Sequence, residues 1–218
     1  MKYPKKKKKV ISVGDAIVAV THDYYELLTI PDEFKTFEVC LIAVKQDGYM
    51  LVYVPSKLKT REICLAAVEN RGTALAHVPE KLKTAELCRI ALQHDEQSPE
   101  LGECALDYVP NRHKTRKFCL IAVQHNGLAL VCVPKKHMTP EICLAAVQQD
   151  GAALEYAPDA WKTQNLCLAA VQKNGKTLQY VPEQFKTLEL CITAVQNCGE
   201  ALRFVPKALK KDVRGANL

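Results

Sequence analysis

The sequence predicts an all-α protein: an α-solenoid of seven full 24-residue two-helix repeats with degenerate terminal units. Three observations carry this reading. Val-Pro-like pairs end at Pro31, Pro55, Pro79, Pro110, Pro134, Pro158, Pro182 and Pro206, in steps of 24 residues except for one of 31. A cysteine stands nine residues after each of the first seven prolines, at Cys40, Cys64, Cys88, Cys119, Cys143, Cys167 and Cys191. Between these marks the apolar residues follow helical spacing rather than strand alternation, which disfavours a leucine-rich repeat of the same period.

The elements follow in order. Residues 1–10, MKYPKKKKKV, form a basic disordered tail, and residues 11–218 a single repeat domain. Residues 11–31 are a degenerate leading unit with Ala16 in the cysteine slot. The unit around Thr60 shows the full pattern. The Thr60 hydroxyl suits an N-cap, and Glu62 suits the first turn of a helix dipole. Ile63, Cys64, Ala67 and Val68 share one helical face, and Gly72 is expected as a left-handed stop. A second, shorter helix turns Leu75 and Val78 inward, with Leu82 continuing the stripe. Pro79 has no backbone donor, so it starts a fresh turn or kinks this helix. Two helices of this size cannot enclose a core alone, whereas stacked units bury a continuous one. The third unit replaces its glycine by a seven-residue expansion around Glu96–Cys104, and residues 207–218 begin a last unit and abandon it.

Thr163–Pro182 (TQNLCLAAVQKNGKTLQYVP) and Thr187–Pro206 (TLELCITAVQNCGEALRFVP) are the most regular units. Their pattern resembles the tandem repeats of the family described as domain of unknown function 4116, over roughly residues 11–210. The resemblance implies short helical repeats. It implies no activity, because that family has no assigned catalytic residues.

Ten cysteines raise the question of disulfides or metal. Equivalent slots on packed helices lie about 8–10 Å apart, beyond the reach of a disulfide. No CxxC or Cys/His zinc spacing occurs; Cys191 and Cys198 are the nearest pair. The slot cysteine is therefore expected to be a small buried filler, with Cys104, Cys132 and Cys198 outside the slot and more exposed. Unpaired thiols, no signal peptide and no apolar run of membrane length predict a reducing cytosolic setting. No nucleophile elbow, phosphate loop or metal motif is present, so neither an enzyme nor a cofactor is expected. His113 and His137 share one slot of adjacent units, and His94 and His125 another; both pairs suit helix ends.

Charge is more informative. The net charge of +6 rests on the tail, because the six lysines of residues 1–10 leave 24 basic against 24 acidic residues behind them. Lys5, Lys6, Lys7, Lys8 and Lys9 resemble a monopartite nuclear-import cluster, with a solvated arm or a contact to RNA or anionic membrane as alternatives. The lysine before each Thr (Lys35, Lys59, Lys83, Lys114, Lys162 and Lys186) could line one edge. Residues 86–107 carry Glu86, Asp95, Glu96, Glu100, Glu103 and Asp107 against Arg89, a net of −5. Residues 111–148 carry Arg112, Lys114, Arg116, Lys117, Lys135 and Lys136 against Glu141, a net of +5. Glu96, Glu100 and Glu103 with the six basic residues are the predicted partner-binding site, because loops inserted into a repeat commonly lie on a binding face. The predicted function is a monomeric, non-enzymatic protein–protein interaction scaffold, effector-like if it acts in a host cell. The competing class is a nucleic-acid-binding repeat protein that uses the lysine tail and lysine edge.

Overall fold

The computed structural model describes residues 12–95 and 104–216, and every regular element among them is helical. The α-helices are α1 (Val13–His22), α2 (Phe37–Gln46), α3 (Arg61–Asn70), α4 (Ala85–Gln93), α5 (Arg116–His125), α6 (Pro140–Gln149), α7 (Gln164–Lys173), α8 (Leu188–Asn197) and α9 (Lys210–Gly215). The chain divides into two compact units. One runs to His94 and takes in Tyr108–Pro110; the other holds Asp95–Asp107 and the chain from Asn111 onward. In the first unit α1, α2, α3 and α4 pack in sequence, and in the second α5 to α9 do the same, so each is a run of an all-α repeat solenoid.

The threonine of each KT-like pair starts the α-helix of its repeat. Thr36, Thr60, Thr84, Thr115, Thr139, Thr163 and Thr187 each accept the N–H three residues on, at 3.2–3.4 Å. One face of each helix is then buried: Ile63, Cys64, Ala67 and Val68 in α3, and the equivalent residues of α6 and α8. All seven slot cysteines are buried and outside any disulfide, as the filler reading predicts, and burial pushes the Cys40, Cys64, Cys143 and Cys167 thiols up to about 11. The slot recurs because the packing recurs.

The second helix of each repeat is a 3-10 helix rather than an α-helix, such as Gly72–His77, with Leu75 buried in it and Val78 just beyond. Pro79 ends this stretch and starts a separate 3-10 turn, Glu80–Leu82, in which the Leu82 N–H donates to the Pro79 carbonyl at 2.8 Å. Leu82 is only half-buried.

The expected left-handed glycine stop is not present. α2, α3, α5, α6, α7 and α8 end instead in an extended residue before the glycine, such as Asp47 with φ −143°, whose N–H still donates to the Ala43 carbonyl. Asp47, Asn126, Asp150 and Asn174 then cap the following 3-10 helix, each side chain accepting the N–H two residues on at 2.8–3.1 Å.

The glycine is required for space. None of Gly48, Gly127, Gly151 and Gly175 lies in the left-handed region, yet a Cβ at any of them would collide with the next repeat. At Gly127 and Gly151 it would meet the carbonyl oxygens of Ala146 and Ala170 at 2.6 Å; at Gly48 and Gly175 it would meet those of Ala67 and Ala194 more closely still. An amide from the next helix locks this contact. Asn70 accepts the Gly48 N–H at 2.7 Å and donates to the Lys45 carbonyl at 3.1 Å. Gln149 does the same for the Gly127 N–H (2.8 Å) and the His125 carbonyl (3.0 Å), and Asn197 for Gly175 (2.7 Å) and Gln172 (3.0 Å). One side chain thus satisfies an orphan carbonyl at the end of one helix and an amide at the start of the next element.

This geometry separates two glycines of the same slot. Gly151→Ala should cost about 2–3 kcal/mol, because a backbone carbonyl cannot rotate away from the new methyl. Gly199 has nothing within 4 Å of the same position, so Gly199→Ala should change stability by less than about 0.5 kcal/mol. Urea unfolding of both variants measures the difference; equal losses would mean that the glycine acts through its backbone freedom.

A candidate partner-binding surface

α5 is charged unlike its neighbours. In the first turn α2, α3, α4, α6 and α8 carry Glu38, Glu62, Glu86, Glu141 and Glu189, which suit the positive end of the dipole. α5 carries Arg116 and Lys117 there instead, both exposed and with no acidic residue in the turn. Two like charges at a helix N-terminus each cost about 0.3–1 kcal/mol. Lys135 and Lys136 stand exposed on the short 3-10 turn Lys135–His137. Among the described residues, none of these four cations is held in an ion pair. Arg112 is exposed as well, whereas Lys114 is half-buried and donates to the Asp107 carbonyl at 3.2 Å.

The lysine edge is largely committed within the repeats. Lys59 donates to the His77 carbonyl at 3.2 Å and Lys83 to that of Tyr108 at 3.3 Å, in each case at the end of the 3-10 helix of the same repeat. Lys35, Lys162 and Lys186 pair with Asp32, Asp159 and Glu183 at 2.9, 2.9 and 2.7 Å, with lysine side chains only 11, 11 and 8 % exposed. The positive ends of these side chains thus serve carbonyls and carboxylates of the array itself.

Two departures from the repeat make a groove that the charge pattern alone does not disclose. Met138 occupies the slot that holds lysine in the other full repeats, and Trp161, the one tryptophan of the chain, occupies a slot that holds leucine or phenylalanine in most others. They line a groove of about 550 Å³ together with Leu130, Val131, Val133, Tyr156, Pro158 and Lys135. Val131 is 56 % exposed and Tyr156 37 %, so the apolar lining reaches solvent, and Lys135 adds a basic residue to it. Both substitutions are visible in the sequence as breaks in a period. What the sequence does not show is that adjacent repeats bring them to one depression.

On the acidic side, Glu96, Glu100 and Glu103 lie outside the described residues, as do Lys5–Lys9. Asp95, at the edge of the expansion, is buried at 3 % exposure. Its carboxylate Oδ2 accepts the Ala105 N–H at 3.0 Å and the Asn126 side-chain amide at 3.4 Å, while Oδ1 has no partner among the described residues. It therefore acts as the capping aspartate of an interrupted repeat. Burial raises its pKa from 3.8 to about 6, against the lowering effect of both hydrogen bonds.

The histidine pairs form no shared site among the described residues. His113 stacks on Phe118 with ring centroids 6.4 Å apart. The backbone carbonyls of His94 and His125 accept from the Gly72 N–H and the Gln149 side chain.

Two expectations about the cysteines need correction. Cys104 is buried rather than exposed, and it forms a disulfide with half-buried Cys132. The spacing argument against disulfides holds for cysteines in equivalent slots. These two occupy different slots of adjacent repeats, and that offset brings their Cα atoms to 7.1 Å.

A family model described as "Domain of unknown function (DUF4116)" matches residues 16–59, 36–83, 115–162 and 139–186, more than half of the chain in overlapping tandem segments. No curated protein and no solved structure matches the chain. Among the described residues no helix is long and apolar enough to cross a membrane.

The buried Asp95 gives a pH signature. Its folded pKa lies above its ordinary value, so the folded state binds this proton more tightly than the unfolded one. The resulting stabilisation is fully present below about pH 3.8 and is lost as the pH rises through about 6. Asp95→Asn should remove it, flattening the melting temperature across this window and gaining roughly 1–3 kcal/mol relative to wild type at pH 7. Thermal unfolding of both proteins between pH 4 and 7 decides, and parallel curves would contradict the assignment.

Proposed function

We propose that this chain, which belongs to the DUF4116 family, is a non-enzymatic protein–protein interaction scaffold that takes an acidic partner segment with an apolar anchor. The observation that carries this reading is the Met138–Trp161 groove, lined by Lys135, in the repeats that also carry Lys136, Arg116 and Lys117, four exposed cations in no ion pair among the described residues. Interfaces concentrate their energy in buried aromatic and apolar anchors, while charges at the rim steer encounter and fix orientation. Arg116 and Lys117 lower the stability of their own helix, as residues selected for binding rather than folding do. The regular repeats offer near-equivalent surfaces, so a partner needs an irregularity to choose a register, and this one supplies both charge and shape.

Nucleic-acid binding is the competing class, and the array supports it less. Its lysine edge is engaged with its own carbonyls and carboxylates, and its charges balance once the tail is set aside. A steep salt dependence of RNA binding by a chain lacking residues 1–10 would favour that class instead.

Peptides selected from a displayed library on the full chain test the proposal. Selection should enrich acidic residues around an aromatic or aliphatic anchor, and binding should shift the fluorescence of Trp161. Reversing Arg116, Lys117, Lys135 and Lys136 to Glu should weaken these peptides by about tenfold or more, as should Trp161→Ala. The reversal should leave the melting temperature unchanged or slightly higher, because two of the new carboxylates then sit at a helix N-terminus. Equal binding by wild type and both variants would place the site elsewhere and overturn the reading.

A further inference from the structure

Cys104 and Cys132 meet at a place where the repeat geometry regularly brings side chains together. In the first unit the equivalent positions are Tyr49 and His77, whose rings lie 5.5 Å apart. In the second unit the two sulfurs are joined by Asp107, and one ligand atom from each of the three residues lies within 4.8 Å of the others. We propose that Cys104, Cys132 and Asp107, with the cysteines reduced, form a binding site for one thiophilic divalent cation of the zinc type. This site is separate from the partner groove and does not depend on it.

The donor set suits such an ion. Two thiolates and one carboxylate are soft and borderline ligands, and zinc sites with three protein ligands leave a fourth position to water. Asp107 is exposed and Cys132 half-buried, so an ion and its water have a path in, while buried Cys104 anchors one side. The Cα separation of 7.1 Å exceeds the usual disulfide limit of about 6.8 Å. Bridging through an ion with Zn–S bonds of about 2.3 Å accommodates a wider pair.

The carboxylate is the second argument. Asp107 Oδ2 lies 3.2 Å from Cys132 Sγ. A disulfide sulfur has no proton to donate, so this approach is a hydrogen bond only in the dithiol. In the oxidised form the carboxylate faces a sulfur lone pair, whereas a cation between the two attracts both. Two thiolates, a carboxylate and a dication leave one net negative charge. The Lys114 ammonium, donating to the Asp107 carbonyl at 3.2 Å, stands beside it to offset that charge. The seven slot cysteines do not compete, since they are buried, and burial raises the thiols of Cys40, Cys64, Cys119, Cys143, Cys167 and Cys191.

The chemistry balances simply. The disulfide holds no thiolate, so a phosphine or dithiol must first supply two electrons, with two protons taken up by the sulfurs. Binding the dication then releases both protons.

Cobalt titration of the full chain, reduced with a phosphine, tests the site. One equivalent should produce a sulfur-to-cobalt charge-transfer band together with tetrahedral visible bands, and zinc should displace it. Cys104→Ser and Cys132→Ser should each abolish the one-equivalent spectrum while retaining the helical circular dichroism. Asp107→Asn should keep both thiolates but weaken binding by at least about tenfold, since even a group behind a ligand is worth that much. The proposal fails if reduced wild type gives no band at one equivalent. It fails equally if the band persists in the double serine variant, or if the Cys104–Cys132 bond resists the phosphine.

Discussion

Within each compact unit the architecture depends on one close approach: a glycine that starts a 3-10 helix sits under an alanine carbonyl of the next repeat. At Gly127 and Gly151 the missing Cβ would lie 2.6 Å from that oxygen, so the layer spacing is set by the absence of a single carbon. Much else in the repeat follows. The alanine and cysteine of the helix must be small for the helices to approach, and each is fully buried. The closeness leaves backbone groups without water, and the Asn or Gln at the helix end reaches across to satisfy them, as Asn70, Gln149 and Asn197 do. The lysine before the threonine performs a similar service at the other end of the 3-10 segment, as Lys59 and Lys83 show.

Such a scaffold restricts where function can reside. Residues that join repeats cannot vary freely, so specificity falls to slots where the joining role is given up. Met138 gives up the lysine contact, Trp161 enlarges an apolar slot, and Arg116 and Lys117 oppose their own helix dipole. These departures lie in neighbouring repeats of the second unit, and the apolar ones line a single groove. Cys104 and Cys132 are further departures, taking the positions that hold Tyr49 and His77 in the first unit.

What was legible in the sequence was whatever acts within one repeat. The threonine caps, the buried face of Ile63, Cys64, Ala67 and Val68, and the fresh turn after Pro79 are all local, and the structure has them. What was not legible acts between repeats. Gly72 and its equivalents read as helix stops because glycine commonly is one, yet the atom that excludes a side chain at Gly48 belongs to Ala67 in the next repeat. The tightening to a 3-10 helix has no clear compositional mark. The basic cluster was readable from charge alone, but its apolar neighbour needed the stacking of two repeats to exist. The disulfide is hidden because the spacing between equivalent slots does not govern Cys104 and Cys132, which are not equivalent.

Amide hydrogen exchange at the slot glycines measures the inter-repeat contact most directly. The N–H groups of Gly48, Gly127 and Gly175 are buried under an alanine carbonyl and donate to Asn70, Gln149 and Asn197. Gly199 holds the same place in the last full repeat, with nothing within 4 Å of its Cβ position. Protection of the first three near that of the α-helical core, with Gly199 exchanging orders of magnitude faster, is the predicted result. Uniformly fast exchange at all four would contradict the account, because the repeats would then be held by their apolar faces alone.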